Sequence, residues 1–197
     1  MTPVAFPTLR SGEESPLPWL RMTSAVAGPF VAASALLGVA GVVKLVRPAG
    51  TVEALRAAAL PGSAPLSRAL GAAELAVAVA AVAVGSRPLA LLVVASYLGF
   101  AGFTMRLIAR RGGTAGCGCF GEARTPASSL HVVLNLALAA TAVLGAIAPP
   151  GGVADVLAVQ PLAGIPFLAL TALCTWLAFV AFTLLPEVTA AAAERAA

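Results

Sequence analysis

Residues 24–46 read SAVAGPFVAASALLGVAGVVKLV, with Lys44 the one charge. A hydrocarbon core about 30 Å thick is crossed by roughly 20 apolar residues in an α-helix. This stretch therefore reads as a membrane span that ends at Lys44, Arg47 and Pro48. Outward from it, the same pattern recurs at 69–85, 89–109, 128–148 and 161–185. The run 69–85 is short and holds Glu74, and tilt or burial by neighbours accommodates it. Between the first two spans, 51–60 places Val52, Leu55 and Ala59 on one side and stops at Pro61. That segment is expected to lie in the membrane interface.

Composition points the same way. Apolar residues make up 60% and charged residues 10% of the chain, whereas a soluble domain keeps about a quarter of its residues charged. The fold class is all-α, a polytopic membrane helix bundle. A flexible tail at 1–23 precedes a four-helix domain at 24–148. A loop at 149–160 then leads to an additional transmembrane helix at 161–186, and a tail at 187–197 follows. The first tail lacks the basic start, apolar stretch and small-residue cleavage site of a signal peptide, and Met22 is a second candidate start.

The net charge of +4 does not signal nucleic acid, because the basic residues sit between apolar runs. The partner this implies is membrane lipid. The connections after spans one and three carry Lys44, Arg47, Arg56, Arg68, Arg106, Arg110, Arg111 and Arg124. The opposite side carries Arg10, Arg21 and Arg87. The positive-inside rule places the richer side, and the loop after span three, in the cytoplasm.

That loop contains Cys117-Gly118-Cys119. Gly118 permits a tight backbone that brings the two sulfurs together. A disulfide across one intervening residue is near the geometric limit, and strained disulfides exchange readily. Arg110, Arg111, Arg124 and the start of the next helix favour thiolate, with Glu122 opposed. Thr125-Pro126 resembles the cap and first turn of that helix. The alternatives are a static clip or two inert thiols.

His131 and Asn135, four residues apart, share a helix face. They fit a proton acceptor with its orienter, a metal ligand, or plain helix-to-helix hydrogen bonding. Glu74 falls about 8 Å inside its span, a depth at which a carboxylate needs a partner or a water-filled cavity. Lys44 is the expected partner, in a pair that locks two spans; the alternative is that Lys44 snorkels to the interface and leaves Glu74 protonated. Cys174, mid-span, reads as a small apolar filler. Tyr97 and Trp176 have no evident role.

These residues resemble those of the methylamine utilisation protein MauE family, within a wider group of DoxX-like membrane proteins. The resemblance covers about 28–148. It rests on Gly38-x-x-Gly41-x-x-Lys44-Leu45, Pro48, Leu60-Pro61, Glu74-Leu75, Cys117-Gly118-Cys119-Phe120-Gly121 and His131-x-x-x-Asn135. Leu134 stands where the family often has a basic residue. The resemblance implies a four-helix membrane domain and a role in maturing methylamine dehydrogenase, by disulfide formation, processing or transport. An extracytoplasmic protein substrate or a thiol-redox partner follows from it. Such a substrate requires that the loop face outward against the charge bias, or deliver electrons from the cytoplasmic side.

The leading expectation is a thiol-disulfide redox or maturation factor of the cell membrane, a possible oxidoreductase only in that sense. Cys117 and Cys119 would exchange, with His131 as proton acceptor and Asn135 as its orienter, and Lys44 and Glu74 would hold the helices around that end. Quinone is compatible as electron acceptor, although no residue specifies it. The alternatives are a copper(I) or zinc site at Cys117, Cys119 and His131, and a small proton-coupled transporter or structural subunit using Glu74.

Overall fold

The computed structural model describes residues 18–111, 116–118, 126–186 and 188. Among them, five helices are long and apolar enough to cross a membrane, and the chain is an all-α multi-pass membrane protein. In order these are α1 (Pro18–Val46), α3 (Ala64–Val84), α4 (Arg87–Arg111), α5 (Ser129–Ile147) and α7 (Ile165–Thr183). Two short helices, α2 (Ala49–Ala57) and α6 (Val153–Ala158), lie at opposite ends of the bundle, and a 3-10 turn at Pro161–Gly164 leads into α7.

Several boundaries differ from expectation for local reasons. Helix α1 reaches back to Pro18 and runs through Pro29 unbroken, since neighbours in a membrane bundle can satisfy the backbone groups a proline frees. Helix α3 starts at Ala64, well ahead of 69. Ser63 caps it by accepting from the Leu66 N–H at 3.3 Å, and Pro65 occupies its first turn. The span is therefore of ordinary length, and Glu74 lies about 15 Å along it. Helix α5 is capped by Ser128. Pro126 instead forms an isolated antiparallel bridge with Gly116, and Thr125 lies outside the described residues. The segment expected as a loop at 149–160 contains α6.

Helix α1 is the hub. It packs against α3, α5 and α7, while α4 packs chiefly against α5. The main core joins Phe30 and Leu37 of α1 with Val93 and Tyr97 of α4 and a row of alanines from α3 and α5. The Tyr97 hydroxyl donates to the Ala33 carbonyl at 2.6 Å, giving this buried polar tip the partner it needs.

Small residues let α1 and α3 touch backbone to backbone. A Cβ on Gly41 would lie 2.6 Å from the Gly71 carbonyl oxygen and 2.8 Å from the Leu75 nitrogen. Such contacts stand in for the hydrophobic drive that lipid removes. Gly41→Leu is therefore expected to destabilise the bundle by about 1–3 kcal/mol, read as a lowered unfolding midpoint in detergent. An unchanged midpoint would rule out this close crossing.

Candidate functional site

The α1–α3 contact aligns Lys44 with Glu74. Their Nζ and Oε2 are 2.7 Å apart, with the side chains 5% and 10% exposed. The ammonium also sits 4.8 Å from the centroid of the Phe100 ring, a cation–π geometry. A buried ammonium in this bundle thus has a carboxylate on α3 and an aromatic face on α4.

Cys117 reaches the same region from the loop. Gly118, with φ of +66°, turns the backbone onto α2, where the Thr51 hydroxyl donates to its carbonyl at 2.9 Å. A Cβ at Gly118 would come within 2.6 Å of the Ala54 Cβ, so the close seat and the left-handed backbone both call for glycine. Helix α2 is fastened in turn by Arg106 of α4, whose Nε donates to the Ala58 carbonyl at 2.9 Å.

Cys117 packs in a cluster with Ala58, Leu107 and Ala127, and its Sγ lies 4.0 Å from the Thr104 hydroxyl. Ala127 immediately precedes the α5 cap, so the positive end of that helix lies beside the cysteine. A cavity of about 250 Å³ is lined by Lys44, Thr51, Glu74, Phe100 and Cys117 among others. The arrangement thus joins a cysteine, a buried ion pair and an aromatic ring around one space. Cys119, Glu122 and Arg124 lie outside the described residues.

His131 and Asn135 occupy a different side of α5. The Ser128 N–H donates to His131 Nδ1 at 3.4 Å, and the Ser128 hydroxyl lies 3.0 Å from the same nitrogen. The imidazole also meets Phe182 of α7, ring to ring at 5.9 Å and through a backbone hydrogen bond. Asn135 Nδ2 donates to the His131 carbonyl at 2.7 Å and faces a small void with Leu36, Tyr97 and Phe182. Neither residue lines the Cys117 cavity. Among the described residues, no three His, Cys, Asp or Glu side chains gather as metal ligands. Cys174 is exposed on α7 rather than filling the interior.

Sequence reasoning missed Thr51, Phe100, Thr104 and Ser128. Ser128, three residues ahead of His131, carried a capping signal, whereas the other three look like ordinary span or interface residues.

A family model described as methylamine utilisation protein MauE matches residues 20–148. No curated protein and no solved structure matches the chain.

Proposed function

The chain belongs to the MauE family, related to methylamine utilisation, and from that premise we propose that it is a thiol-disulfide exchange factor of the cell membrane, serving the maturation of an extracytoplasmic protein. Methylamine dehydrogenase or a similarly disulfide-rich protein is the substrate class. Cys117 and Cys119 are the exchanging pair. A substrate thiolate attacks their disulfide, and one chain sulfur leaves as thiolate. The second substrate thiol then resolves the mixed disulfide. The substrate gains an S–S bond, and the chain takes up two electrons as a dithiol.

The observation that carries this reading is the setting of Cys117. It packs in a cluster with Ala127, the residue before the α5 cap, and lines a cavity that Lys44 also lines. Both favour negative charge on a leaving or attacking sulfur. His131, with Nδ1 engaged at the Ser128 cap, acts in this reading as a positioning residue for the helix that follows the loop, and Asn135 braces its backbone. Lys44 and Glu74 hold α1 and α3 around the cavity.

The test is thiol labelling in intact cells with membrane-permeant and impermeant reagents, each with and without prior reduction. Cys117 and Cys119 are expected to react only after reduction, and with the impermeant reagent too. Thiols that label fully without reduction, and only with the permeant reagent, would defeat the proposal.

A further inference from the structure

The cavity beside Cys117 opens sideways between α3 and α4, which touch each other far less than α3 touches α1 or α4 touches α5. Leu70, Ala95 and Gly99 line it and are exposed on their helices. In a membrane that surface meets hydrocarbon, so an occupant comes from the lipid. The polar groups of the wall are already matched within the chain. Lys44 pairs with Glu74, the Thr51 hydroxyl donates to the Gly118 carbonyl, and the Ser96 hydroxyl donates to the Leu92 carbonyl. What remains is an almost wholly apolar wall, which requires no polar atom of its occupant.

A cavity of about 150 Å³ accepts benzene, so about 250 Å³ takes roughly ten carbons. The stretch of α4 that lines it, from Ala95 to Phe103, is about 12 Å long. Both dimensions suit part of one acyl chain.

The end of the cleft nearer the membrane surface is charged. On α4 the lining residues Ser96, Gly99 and Phe103 recur at intervals of three and four, and the same stripe continues to Arg106 and Arg110. Arg87 and Arg106 bracket the uncharged part of α4, so Arg106 and Arg110 stand in the headgroup layer. Both are exposed. The Arg106 Nε donates to the Ala58 carbonyl at 2.9 Å, which fixes the guanidinium beside α2 with further N–H groups able to meet a phosphate. Among the described residues this end also carries exposed Arg47, Arg56, Arg68 and Arg111, against Glu53 as the exposed carboxylate.

We infer that the cleft binds an anionic glycerophospholipid, with one acyl chain between α3 and α4 and the phosphate against Arg106 and Arg110. The lipid keeps the orientation it has in its leaflet, headgroup at the surface and chain toward the midplane. The inference stands apart from the exchange reading, since no bond is made or broken.

The full chain in detergent is titrated with dioleoyl phosphatidylglycerol and, separately, with dioleoyl phosphatidylcholine, and lipid adducts are resolved by native mass spectrometry. One phosphatidylglycerol per chain is expected to bind about tenfold more tightly than phosphatidylcholine. A Cβ at Gly99 or at Gly102 would meet nothing within 4 Å, so either accepts a larger side chain, yet of the two only Gly99 lines the cleft. Gly99→Leu is expected to weaken phosphatidylglycerol binding about fivefold by overfilling the cleft, with an unchanged lipid-free unfolding midpoint. Gly102→Leu should match the parent. Arg110→Gln should weaken phosphatidylglycerol about fivefold and leave phosphatidylcholine unchanged.

Equal affinity for the two lipids, or parental phosphatidylglycerol binding by Gly99→Leu, would overturn the site. Glycerol 3-phosphate competing as well as phosphatidylglycerol would overturn it too, because the arginines would then hold phosphate without the cleft.

Discussion

Glu74→Ala is expected to destabilise the bundle by about 3–5 kcal/mol, the usual consequence of removing one partner from a buried ion pair. It deletes the carboxylate 2.7 Å from the Lys44 ammonium, between two helices whose backbones already touch. Lys44 then keeps Phe100 but loses its counter-charge in a low-dielectric setting, where water compensates poorly. Lys44→Met combined with Glu74→Met should recover much of the loss, because neither residue then leaves a charge behind. A double-mutant cycle built from Lys44→Met, Glu74→Met and the two combined, read on unfolding in detergent, measures this. If the two single losses simply add in the double variant, the ion pair does not couple these helices.

The second large effect concerns the cysteines. Cys117→Ala is expected to abolish exchange with a model disulfide substrate and with oxidised dithiothreitol, because a single remaining thiol cannot resolve a mixed disulfide. Cys119→Ser should do the same. Since Cys117 is buried beside Leu107 and Ala127, the alanine also removes some packing, so the unfolding midpoint must be measured alongside. A small shift in midpoint with complete loss of exchange identifies a chemical role. Full exchange in either variant would end the proposal.

Much of the fold was legible because hydrocarbon thickness fixes how long an apolar run must be. The start of α3 was the main error. Ser67 and Arg68 dilute the apolar signal there, although Ser63 and Pro65 had already marked the helix entry. The placing of Lys44, Cys117 and His131 toward one end of the bundle followed from counting spans, whereas Glu74 lies midway along α3 because that helix starts earlier than expected.

Which of them meet did not follow, since that depends on how each helix is rotated about its axis. Gly41 and Gly71 fix that rotation for α1 and α3 and thereby set Lys44 against Glu74. On α5, His131 and Asn135 continue a stripe through Ala139, Ala142 and Ala146 that faces the core. That stripe directs the histidine to Phe182 rather than into the cavity of Cys117. A one-dimensional pattern shows that His131 and Asn135 share a face, but not what the face looks at.

The far end of the bundle is built quite differently from the end that holds Cys117. Gly85, with φ of +58°, turns α3 into α4 directly against the backbone of Gly151, leaving no room for a side chain. Arg87 ties the same turn to the Ala146 carbonyl at 2.9 Å. Helices α3 and α4 are thus clasped at this end, although over their whole length they touch far less than α3 touches α1. The walls of the Cys117 cavity lie partway along both helices, with Leu70 and Glu74 on α3 and Ala95 and Phe103 on α4, so the clasp anchors the spacing of those walls from a distance.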